Sequence, residues 1–168
     1  MPTPPPLPEE ILARVLRLAR FDGLSVLALA GSFALVAALD HHVALALIGL
    51  AGAGAGALEL HGVGHLQHGD ARGVRWLLAS QPVLLAAVLA YCAARVWFMP
   101  LPPIPEGFRP MIALSAEQLG LSLEAYLGFV NRLTMGVLAV VSTAMQGGVF
   151  LYYWRRRAAI QLALPAQS

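Results

Sequence analysis

Four predominantly apolar runs, at residues 23–39, 43–60, 76–99 and 133–154, decide what this chain can fold into. Each is long enough to cross hydrocarbon as a helix, the conformation that satisfies its own backbone donors and acceptors where water is absent. The two shortest hold seventeen and eighteen residues. At the helical rise they reach roughly 25–27 Å, which suffices for spans that stand nearly upright. With 58% hydrophobic and only 12% charged residues among 168, composition lies outside the globular range and agrees. The expected fold is all-α, an integral membrane bundle of four transmembrane helices forming one domain over residues 23–157.

The segments around these runs are legible from their punctuation. Pro2, Pro4, Pro5, Pro6 and Pro8 make residues 1–8 an extended tail. From Glu9 to Asp22, Ile11, Leu12, Val15, Leu16 and Ala19 recur at helical spacing opposite Arg14, Arg17 and Arg20. That pattern predicts an amphipathic juxtamembrane helix lying at the membrane surface and feeding into the first span. Asp40, His41 and His42 alone separate the first two runs, so these form an antiparallel hairpin, with Asp40 as N-cap of the second helix. Residues 100–131 connect the last two spans on the outside, first as a proline-rich stretch. Ser115 and Gln118 then resemble a capping box for a short interfacial helix carrying Leu119, Leu123, Tyr126, Leu127 and Val130, which Gly120 is placed to interrupt. Residues 158–168 form a C-terminal tail.

All eleven basic residues are arginine, and they are unevenly placed. Arg14, Arg17, Arg20, Arg72, Arg75, Arg155, Arg156 and Arg157 fall on one side of the spans, against Arg95, Arg109 and Arg132 on the other. The positive-inside bias puts both termini in the cytoplasm, with the eight arginines anchored on lipid head groups. Trp76, Trp97, Tyr152, Tyr153 and Trp154 stand at span ends, as interfacial aromatics do. Arginines spread over span ends, without a basic surface interleaved with aromatics, argue against a nucleic-acid partner. An arginine-only, alanine-rich composition suggests a bacterial inner-membrane protein. Cys92, in an apolar run, has no partner for an intramolecular disulfide and is expected in the core.

Small residues supply the expected packing surfaces, because lipid tails are as apolar as leucine and helices associate through close approach. Gly52 and Gly56 stand in GxxxG register in span two, and Ala139, Thr143 and Gly147 repeat every four residues in span four. Ala30, Ala34 and Ala38 do the same in span one. Gln81, beside Pro82 in span three, and Ser142, Thr143 and Gln146 in span four form a polar intramembrane group. Interhelical hydrogen bonding is its preferred role, a ligand cavity the alternative.

The chemistry-bearing stretch is 59–76. On a continuous helix His61, His65 and His68 share an arc of roughly 60°, a set suited to zinc, copper or haem iron. Arg72 and Arg75 project onto the same arc, Gly62, Gly64 and Gly69 interrupt it, and no acidic residue backs it. The preferred reading therefore ends span two near His65, caps the third helix with Asp70, and pairs Glu59 with Arg72 or Arg75 across the turn. Glu59 and Arg95 each stand within about a turn of a run's end, where a charge is inexpensive, so no proton or ion path is expected. No nucleophile elbow, phosphate loop, CxxC or HExxH is present, and the chain is not expected to be an enzyme. The expected role is an interaction or scaffold component or accessory subunit, alone, as a homo-oligomer or in a larger membrane complex. A small transporter or ligand-binding membrane protein, and a metal- or haem-binding subunit using His61, His65 and His68, are the alternatives. No cofactor is expected beyond that last possibility.

Overall fold

The computed structural model describes residues 7–101 and 104–164. All regular structure among them is helical: α1 (Pro8–Leu39), α2 (Val43–Gln67), α3 (Gly73–Trp97), a 3-10 turn (Glu106–Phe108), α4 (Arg109–Gln118) and α5 (Leu123–Ala163). Four of these, α1, α2, α3 and α5, are long and apolar enough to cross a membrane. The chain divides into two compact units, one of residues 1–88 with 142–168 and one of residues 89–141. Helices α3 and α5 run through both.

In the first unit every helix is longer than its apolar run, and the excess is packed. Val15 and Ala19 of α1, Val63 and Leu66 of α2, Val74 and Leu77 of α3, and Tyr153 and Ile160 of α5 form one buried cluster. This corrects the expected surface helix at residues 9–22, which is the opening of a continuous 32-residue α1. Its apolar stripe covers the other three helices, while Arg14, Arg17 and Arg20 stay exposed. Likewise residues 158–163 continue α5 instead of starting a tail, because Ile160 is fully buried. The remaining tail positions, 1–6 and 165–168, lie outside the described residues.

The glycines of α2 set its distance from α1. A methyl group at Gly56 would lie 2.7 Å from the Gly23 carbonyl oxygen and 2.7 Å from the Leu27 nitrogen, and one at Gly49 would lie 2.8 Å from Ala34 Cα. Gly52 faces Ala30 Cβ at 3.1 Å. The GxxxG pair Gly52 and Gly56 is thus an intrachain contact. Gly147 of α5 is not one: a methyl there would meet nothing within 4 Å. Ala139, in the other unit, is half-buried.

The hairpin at residues 40–42 forms as its polar break requires, but through backbone conformation. His41 adopts φ 58° and the N-cap position of α2 falls to His42, without a side-chain cap, so Asp40 does not serve. Gly69, at φ 81°, closes α2 with the Asp70 amide donating to His65 O at 2.9 Å, a Schellman-type end that only an unhindered left-handed residue permits cheaply. Asp70 Oδ1 accepts the Arg72 amide at 2.8 Å, as its expected capping role demands, although regular helix starts at Gly73.

The second unit holds the end of α3, the segment that connects it to α5 and the start of α5. Ser115 does not begin a helix there. It lies inside α4, where its hydroxyl donates to Met111 O at 3.1 Å. Gly120, at φ 66°, breaks the chain as expected, and Ser122 Oγ accepts the Ala125 amide at 3.2 Å to start α5. The short helix of this segment is therefore α4, and residues from Leu123 on belong to a 41-residue α5. Cys92 is buried and free, as expected.

Candidate functional site

Glu59 is the centre of the first unit. It is 1% exposed, and it stands on the same face of α2 as Gly52, Gly56, Val63 and Leu66, at helical intervals of three and four. Because α2 runs on to Gln67, Glu59 lies about 12 Å inside the helix end, and its side chain is enclosed by protein. The expected pairing with Arg72 or Arg75 is absent among the described contacts, and both arginines are exposed. The reason is helical phase: Glu59 points into the packed face of α2, toward the other three long helices.

Each of those helices presents a polar group to it. The Tyr153 hydroxyl, from α5, donates to Glu59 Oε1 at 2.7 Å. Gln81 Nε2, from α3, reaches the same oxygen at 3.4 Å and Ser80 Oγ at 3.3 Å, and Ser80 in turn donates to Leu77 O at 2.9 Å. Asp22, from α1 and half-buried, interacts through its carboxyl with that of Glu59. Tyr153 is fully buried, so the aromatic belt position expected for it is replaced by a core position with a polar tip.

Two carboxyl groups thus share one sheltered site. None of the interactions recorded for Glu59 or Asp22 among the described residues involves a basic side chain. Gln81 Oε1 is buried and accepts no hydrogen bond, which leaves one more oxygen at the edge of the cluster without a donor.

Gln81 also belongs to a groove of about 250 Å³ lined by Gln81, Pro82, Leu85, Gln146, Gly147 and Phe150. Gln146 Oε1 is a second buried amide oxygen without a donor. Of the four polar residues expected to gather, Gln81 and Gln146 therefore meet on one groove. Ser142 is half-buried and Thr143 exposed, and neither lines it.

The histidines are arranged differently from the expected triplet. His65 Nδ1 lies 2.9 Å from Asp70 Oδ2, and His65 Nε2 lies 3.1 Å from His61 Nε2. His61 also packs edge-on against Trp76, with ring centroids 5.1 Å apart. His68 makes a separate contact, its Nδ1 donating to Gly64 O at 2.7 Å. No group of three or more His, Cys, Asp or Glu suited to a metal ion occurs among the described residues. The expected lack of an acidic residue behind the histidines is also corrected, since the Gly69 turn folds Asp70 back onto His65. The Arg72 amide above all, and then the His65 ring, hold the Asp70 carboxyl below the usual carboxylate range.

The eight arginines of the richer side are exposed, apart from a half-buried Arg156. Arg157 lies over the Trp154 ring at 3.9 Å and Arg156 over Tyr152 at 6.0 Å, which pre-positions both guanidinium groups at the end of the α5 span. Comparison with protein-family models, with curated proteins and with solved structures finds no match.

Proposed function

We propose that this chain is a membrane protein that takes up and releases a small cation, a proton included, at the Glu59–Asp22 centre. One observation carries the reading: two acidic side chains meet inside a four-helix membrane unit, and none of the interactions given for either among the described residues is with a basic side chain. An uncompensated carboxylate is expensive in such surroundings, so the pair needs positive charge from outside the protein. Tyr153 and Gln81 fix Glu59 Oε1 in place, and Gln81 Oε1 adds a neutral acceptor, so the available donors are all oxygen. That set suits a proton or a hard cation. Among the roles that the sequence admits, this favours the small transporter or ligand-binding protein over the scaffold. The uneven arginine distribution supports a reading in which the centre lies near the cytoplasmic side of a bacterial inner membrane, with both termini cytoplasmic.

The test is flux through proteoliposomes, with an internal pH dye in one arm and radioactive sodium in the other. The purified chain is expected to exceed protein-free vesicles in one arm. Glu59→Gln is expected to lower that flux by about tenfold or more while circular dichroism reports an unchanged helix content. Flux no greater than that of empty vesicles in both arms would reduce the cluster to a structural tie between helices.

A further inference from the structure

We infer that His61 and His65 form a surface site for a zinc-class divalent ion, with Asp70 as the group that orients it. The two residues are four apart on α2, so both rings project from one face. Asp70 Oδ2 accepts from His65 Nδ1, which leaves the lone pair of neutral His65 on Nε2, the atom facing His61. Carboxylate-backed imidazole is the arrangement that holds a histidine in the ligating tautomer and raises its basicity. Asp70 is itself fixed, since Oδ1 accepts the Arg72 amide.

The spacing fits the ion. With nitrogen–metal bonds of about 2.0–2.1 Å, two Nε2 atoms 3.1 Å apart subtend an angle of about 95–100° at the metal, between octahedral and tetrahedral values. In the metal-free form one proton lies between the rings, carried by His61 Nε2. Binding moves that proton to His61 Nδ1 through solvent, and the metal takes its place; no charge other than the ion's own is added to the protein. Water completes the coordination, since His61 is exposed and His65 only half-buried. Imidazole nitrogen selects zinc, copper or nickel over magnesium and calcium. His68 stands outside the site, since no third histidine, cysteine or acid among the described residues is placed to share one ion with the pair; its Nδ1 is held by Gly64 O. Arg72 and Arg75 do not face the pair along a continuous helix, as the sequence arc has them, because the Gly69 turn ends α2 before them.

The experiment is a titration of the full chain in lipid nanodiscs with Zn²⁺, read by competition with a chromogenic chelator. One ion per chain is expected. His61→Ala and His65→Ala each weaken binding by about 100-fold or more, Asp70→Asn weakens it by about 10–100-fold, and His68→Ala changes it less than about twofold. Helix content by circular dichroism accompanies each variant, and Mg²⁺ in place of Zn²⁺ serves as the hard-ion control. Absence of stoichiometric Zn²⁺ binding by the parent chain, or a loss in His68→Ala equal to that in His61→Ala, overturns the assignment.

Discussion

Tyr153 reaches across from α5 to end its hydroxyl 2.7 Å from Glu59 Oε1, with Gln81 Nε2 farther from the same oxygen, at 3.4 Å. Replacing it with phenylalanine keeps the ring in the core and removes the strong donor. Tyr153→Phe is expected to cost about 1–2 kcal/mol in detergent unfolding titrations, the range for a hydrogen bond lost inside a membrane protein. A variant as stable as the parent would mean that Glu59 finds a replacement donor. Helical phase alone carries a signal for Glu59. It falls in register with Gly52 and Gly56, whereas His61, His65 and His68 follow a different phase of the same helix. Spacing thus separates a packed face bearing one acid from an open face bearing three imidazoles. No such signal says which groups meet Glu59, since Asp22, Gln81 and Tyr153 come from three other helices and tertiary packing alone brings them together.

The close contact of α1 with α2 depends on atoms that are missing from glycine. Gly56→Ala places a methyl against the Gly23 carbonyl and the Leu27 nitrogen, and the helices must part to admit it. A loss of about 1–3 kcal/mol is expected, against less than about 0.5 kcal/mol for Gly54→Ala, where nothing lies within 4 Å. Equal effects in the two variants, measured by the same unfolding titration, would contradict this packing. The apolar runs reveal which helices exist, because hydrocarbon demands long, nearly charge-free helices. They understate where those helices end, since Val15, Ala19, Leu66, Val74 and Ile160 sit among charged residues and still form core. Local patterning reads such amphipathic ends as surface helices; a partner face makes them interior. The same limit explains Ser115, whose neighbourhood resembles a cap in sequence but is already helical in α4.

At the scale of the whole molecule, parts of four membrane helices, α1, α2, α3 and α5, close around Glu59, which is kept from water, with half-buried Asp22 beside it. The carboxyl groups themselves report on this. A charged, membrane-impermeant carbodiimide applied to spheroplasts, followed by peptide mass spectrometry, distinguishes acids outside the membrane, inside the cell and within the helix packing. Glu106, Glu117 and Glu124 are exposed on the segment between α3 and α5 or at the start of α5, and with the proposed cytoplasmic termini they are expected to react in intact spheroplasts. Glu9 and Glu10 are expected to react only once the membrane is opened, and Glu59 in neither case until the helices are unfolded in dodecyl sulfate. Modification of Glu59 in the folded protein at the rate of Glu9 and Glu10 would contradict a sheltered acid centre.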